Sequence, residues 1–187
     1  MQKEMYLNED ETVKESADHD FIAQSEESFA ERNIAFSGAV ETPLRPWRPA
    51  RSLITLKNQV NERAPNRNRA SDGTIGDTRH CGSSSSTSDH CPRIIDNGVG
   101  VVTAIDITHD PSHNCDANQI AEAIRASRDS RVKYIIWNRR IANSSSIGGA
   151  EPWQWRAYSG SNPHTRHIHI SVKSNSAQYD STNAWEI

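Results

Sequence analysis

Residues 99–108, VGVVTAIDIT, constrain this chain more than any other part of its sequence. They are rich in β-branched side chains and are bounded by Gly98 in front and by Asp110-Pro111 behind, so they read as a buried strand. A strand of that kind needs a sheet around it and apolar cover on top. The chain supplies such cover sparingly. Only 34% of its 187 residues are hydrophobic and the mean hydropathy is −0.78, so part of the chain must lie outside any packed core.

The charge pattern points to which part. Residues 1–44 hold 11 acidic and 3 basic side chains, and the remaining residues hold 13 and 18. The first segment therefore reads as a disordered acidic tail, with a short helix around 26–33, and residues 45–187 as the folded domain. A solvated tail is the plain reading, and a protein partner for it is the alternative. The mildly basic domain suits an anionic polymer without choosing between cell wall and nucleic acid. The first residues lack the apolar core of a secretory signal. No run approaches the roughly 18 apolar residues of a membrane span. Synthesis in the cytoplasm without a classical signal follows as the expectation.

The domain begins with an extended lead-in marked by Pro43, Pro46 and Pro49. Leu53, Leu56 and Val60 then fall at helical spacing over 50–63, ahead of Pro65. Residues 66–98 read as a long loop, which in a small domain is usually functional or disordered. After the strand at 99–108, Ile120, Ala121 and Ile124 define a helix over 117–129. Residues 132–137 form another strand, a further one starts near 140–141, and 143–149 is a Ser/Gly loop. The last strand is 166–172, with Ile168, Ile170 and Val172 on one face and His167, His169 and Ser171 on the other. The predicted class is α+β, a small and mainly antiparallel sheet with flanking helices.

Two features in this frame carry chemistry. Asp106 sits inside the buried strand, where a carboxylate is costly unless paired or bound to metal. Three histidines crowd HTRHIHIS, and strand alternation places His167 and His169 on one face, about 7 Å apart at two strand rises. His90 lies just ahead of the buried strand. One early His, the strand Asp and one further His make an N,N,O donor set, with a fourth position left for water as in catalytic zinc sites. His109 and His113 are alternative ligands in a Pro-bounded loop. Asp77 and His80 suit substrate contact or support of a ligand. Arg156 can clamp a carboxylate. Trp153, Trp155 and Tyr158 can wall a groove or fill a core. Cys81 and Cys91 bracket a Ser-rich loop and either pair in an oxidising compartment or, with Cys115, stay as three separate thiols.

The order SDH, then AIDITHDP, then HTRHIHISV resembles the LAS group of zinc peptidases: lysostaphin-type enzymes, D-Ala-D-Ala carboxypeptidases and the Sonic hedgehog domain. Within it the three late histidines look most like penicillin-insensitive murein endopeptidase. The resemblance covers about residues 47–172, and the longer stretch also looks like a set of bacterial and phage proteins with peptidoglycan-peptidase folds. It implies a hedgehog/DD-peptidase-like fold and one Zn2+ held by His90, Asp106 and His169. It implies that His167 acts on the water or the oxyanion, and that His164 assists as a second proton carrier. The implied reaction is hydrolysis of an amide in the peptide stem or cross-link of peptidoglycan, outside the cytoplasm and without nucleic acid as partner. Two departures stand out. The interval from His90 to Asp106 is long, which implies an inserted loop (RIIDNG). The carboxypeptidases also carry a Glu three residues before the last His, where this chain has Arg166, which favours endopeptidase chemistry.

Two other classes compete. Asp89-His90 followed by Pro92 also resembles the start of an HNH nuclease, which would require a ββα finger with a final His on its helix. A non-catalytic zinc module that binds wall peptides or a partner is the other.

Overall fold

A computed structural model describes residues 46–74, 76, 81 and 87–187. The acidic tail with its expected helix, and the candidates Asp77 and His80, lie outside the described residues.

The proline-marked lead-in becomes strand β1 (Trp47–Pro49), and helix α1 (Arg51–Arg63) follows at once. Leu53, Leu56 and Val60 are fully buried along one side of α1. Each such side chain stabilises the fold by roughly 1.5–3 kcal/mol relative to exposure. Residues 94–98 correct the expected inserted loop. Strand β2 (Ile94–Asp96) turns through Asn97 and Gly98, at φ +49° and +84°, into β3 (Val99–Val102). Asn-Gly favours this two-residue turn because both positions need positive φ.

The buried strand is also not one strand. It breaks at Thr103 into β3 and β4 (Ala104–Thr108), which belong to different sheets. The Thr103 N–H donates to the Asp89 carbonyl at 3.1 Å, and its own carbonyl accepts from Val172 N at 2.8 Å. The first sheet has the order β1-β3-β2, with β1 parallel to β3. The second joins β4 to β5 (Val132–Trp137), β6 (Arg140–Asn143), β7 (Arg156–Ala157) and β8 (His167–Val172) in the order β4-β8-β5-β6-β7, antiparallel throughout.

One face of this larger sheet forms the core. Ile105, Ile107, Val132, Ile135, Ile168, Ile170 and Val172 pack there against α1 and against Ile120, Ala121 and Ile124 of α2 (Ala117–Ser127). Asp116 caps α2 by accepting from Asn118 N. The chain closes with a short helix α3 (Ser176–Tyr179) and a buried Trp185, whose indole N–H donates to Ser52 O at 2.7 Å. The class is α+β with mostly antiparallel sheets, as the sequence predicts.

Candidate metal centre

The other face of the larger sheet is polar, and strand register decides what meets there. Asp106 on β4 is paired directly with His169 on β8, and Thr108 with His167. Next to them, β5 carries a bulge at Lys133: Val132 pairs with Val172, yet Tyr134 pairs with Ser171. The extra residue reverses the alternation, so Val132 stays in the core while Tyr134 turns to the polar face. There its ring stacks on His169, with centroids 5.5 Å apart and an interplanar angle of 11°.

His90 reaches this face from the turn before β2. Its Nε2 lies 3.2 Å from His169 Nδ1 and 3.3 Å from Asp106 Oδ2, while His169 Nδ1 lies 3.0 Å from Asp106 Oδ1. Thus two imidazole nitrogens and the two oxygens of one carboxylate, from three segments, meet at 3.0–3.3 Å. A tetrahedral ion with bonds of about 2.0–2.1 Å would separate its ligands by about 3.3 Å. The outer nitrogens point both rings inward. His90 Nδ1 faces the Thr74 carbonyl at 3.3 Å, and His169 Nε2 faces Ser171 Oγ at 2.9 Å. The Thr74 carbonyl can only accept, so His90 donates to it and carries its lone pair inward, and the Ser171 hydroxyl, able to accept, allows His169 the same tautomer. Two such lone pairs and a carboxylate repel one another unless a cation or protons lie between them. His90, Asp106 and His169 can therefore hold a metal ion.

The surroundings fix this geometry. Arg67, with its side chain fully buried, forms a two-bond pair with Asp72, and Asp72 Oδ1 accepts from both N and Oγ1 of Thr108 at 2.9 Å. That clamp lays Gly73 antiparallel to Asp106, with backbone bonds of 2.7 and 3.2 Å. A Cβ at Gly73 would stand 3.3 Å from Asp106 Oδ2, so glycine keeps the carboxylate unobstructed. His90 is held by its own neighbours. The Asp89 carboxylate accepts from Lys133 Nζ at 2.9 and 3.0 Å, and Ser88 Oγ accepts from His90 N at 3.2 Å. Cys91, the next residue, forms a disulfide with Cys81, which decides between the two readings of these cysteines. Cys115 is free and buried.

His164 and His167 complete the cluster. Their ring centroids are 5.0 Å apart, and His167 Nε2 lies 3.7 Å from Asp106 Oδ2. Both ring nitrogens of His167 are buried and make no hydrogen bond among the described residues. His164 sits in the left-handed region at φ +48° and directs Nδ1 to the Asn162 carbonyl at 2.8 Å. Burial, reinforced by His169 beside it, pushes the His164 imidazole down to about 3, so it is neutral in ordinary buffers. Burial opposes ionisation of Asp106, but His90, His169 and His167 outweigh it and hold the carboxyl well below the usual carboxylate range.

The remaining candidates divide. Tyr158 meets His164 edge-on at 5.6 Å and packs on Tyr134, Ile136 and Ile141. Arg156 lies on β7, paired with Ile141, and donates to Asn143 Oδ1 at 2.9 Å. Trp155 is not brought to the imidazoles: its indole N–H donates to Glu122 on α2, and its ring packs on the core side. Trp153 is in the core cluster. His109 accepts from Ala117 N, and His113 pairs with Asp110, so neither joins the ion-holding groups. Sequence reasoning missed Asp72, Gly73, Thr74 and Ser171. The alternation of β8 already places Ser171 on the histidine face; Asp72-Gly73 gave only a turn signal. No family model, curated protein or solved structure matches the chain.

Proposed function

We propose that this chain is a zinc-dependent peptidoglycan peptidase that hydrolyses an amide bond in the peptide stem or cross-link. The observation that carries the reading is the meeting of His90 Nε2, His169 Nδ1 and the Asp106 carboxylate at 3.0–3.3 Å, beside two further imidazoles. Two nitrogens and one carboxylate suit zinc, whereas calcium takes six to eight oxygens. The ion, when bound, lowers the pKa of water to about 7 and polarises a carbonyl.

The chain's own residues then divide the work. His90, Asp106 and His169 hold the cation, with Thr74 and Ser171 fixing which nitrogen of each ring faces it. His167, whose Nε2 lies 3.7 Å from Asp106 Oδ2, takes up and returns a proton. His164, neutral and buried against it, keeps that ring in position and offers its Nε2 lone pair to the same side. The peptidoglycan substrate rests on the resemblance of SDH, AID and HIH to LAS peptidases. The Cys81–Cys91 disulfide fits action outside a reducing cytoplasm. An HNH-type nuclease would need a histidine on the helix after the hairpin, and α2 has none. His164 and His167 beside the ligands argue against a non-catalytic binding module.

The experiment is digestion of purified murein by the zinc-loaded full chain, with soluble products separated and their new amino termini counted. Release of peptide fragments that His90→Ala abolishes is the expected result. Intact murein with a sample of verified zinc content would overturn the proposal.

A further inference from the structure

Among the described residues the ion-holding groups on this face number two, and they share one residue: Asp106, His164 and His167 also bring one ligand atom each within 4.8 Å of one another. The carboxylate is placed to serve both groups. Oδ1 lies 3.0 Å from His169 Nδ1, while Oδ2 lies between the two groups, 3.3 Å from His90 Nε2 and 3.7 Å from His167 Nε2. His164 turns Nδ1 to the Asn162 carbonyl, which makes its Nε2 the lone-pair nitrogen. Both nitrogens of His167 are buried, and neither makes a hydrogen bond among the described residues. A buried imidazole in that state suits a cation as well as a proton.

We propose that His164, His167 and Asp106 form a second, weaker divalent-cation site, bridged to the first by the Asp106 carboxylate, and that filling it silences the enzyme. The proposal rests on the reading of Asp106 as a ligand of the first ion. Bridged ions in two-metal sites lie about 3.5–4 Å apart, within the span of one carboxylate. One carboxylate offsets little of the repulsion between two divalent ions, so the second binds more weakly than the first. It also occupies the imidazole lone pair on which proton transfer by His167 depends. The first equivalent therefore activates and the second inhibits.

The test is a zinc titration of the chelator-stripped full chain, with bound zinc per chain measured by equilibrium dialysis and elemental analysis. Murein hydrolysis is followed in parallel. The wild type is expected to take up two equivalents of zinc in separate steps, with the rate rising over the first and falling over the second. His167→Ala, and independently His164→Ala, should lose the second equivalent and keep the first. A wild type that saturates at one equivalent would overturn the proposal. So would a second equivalent that persists in both variants. Stoichiometry is read without substrate, so an inactive protein that binds two ions overturns the peptidase reading and the inhibitory role together, and leaves the second cation site standing.

Discussion

Removing the Asp72 carboxylate tests whether the clamp beneath the metal centre is what holds it. The Arg67 side chain is 0% exposed and that of Asp72 9%, and Asp72 is also the acceptor for two donors of Thr108. In Asp72→Ala the guanidinium stays buried with its counter-charge gone, a loss of about 3–5 kcal/mol. At roughly 3–4 °C per kcal/mol for a domain of this size, Tm should fall by about 10–20 °C. Thermal and urea unfolding of the full chain, followed by circular dichroism, measures this. The double substitution Arg67→Met with Asp72→Ala removes the stranded charge and should recover more than half of the loss. Zinc affinity, in contrast, should stay low in both variants, because Gly73 and Thr74 are no longer fixed against Asp106 and His90. A single variant within about 1 kcal/mol of the wild type would refute the buried-pair reasoning.

Other perturbations separate the remaining parts of the account. Ser171→Ala leaves His169 Nε2 without its 2.9 Å partner, so zinc affinity should drop about 10–100-fold in a chelator competition, with Tm little changed. Trp185→Ala empties the place where the indole bonds Ser52 O and lies 3.8 Å beneath the Arg131 guanidinium; unfolding by urea should report a loss of about 3–5 kcal/mol. Burial opposes ionisation of Asp180, but its bonds from Arg48 and from Arg51 N outweigh this and lower its carboxyl in the folded state. A lowered folded-state pKa gives stability that is present above the unfolded value of about 3.9 and is lost as pH falls through the folded one. Unfolding curves of the wild type and Asp180→Asn should therefore differ at pH 6 and converge in acid.

Much of this was legible in the sequence for reasons of periodicity. Leu53, Leu56 and Val60 mark α1, and the alternation of His167, Ile168, His169 and Ile170 assigns faces to β8. Asp106 stood out because an acid in an apolar strand needs a partner. What was not legible depends on long-range register. Nothing local in VVTAIDIT shows that the chain changes sheets at Thr103. That switch is set by bonds to Asp89 and Val172, which are distant in sequence. The bulge at Lys133 likewise follows from pairing with β8, yet it alone turns Tyr134 onto His169. The Asn97-Gly98 turn was readable, but three-residue β2 is too short to reveal itself by alternation. Trp155 was ambiguous because an indole suits a groove or a core equally well, and Glu122 on α2 decides for the core side.

The most direct test of the central claim is a crystal structure of the zinc-loaded protein with anomalous data on both sides of the zinc edge. The account predicts an anomalous peak about 2.0–2.1 Å from His90 Nε2 and His169 Nδ1 and about 2.0–2.2 Å from an Asp106 oxygen. A stoichiometric zinc located elsewhere, with these three side chains bonded only to one another, would contradict it.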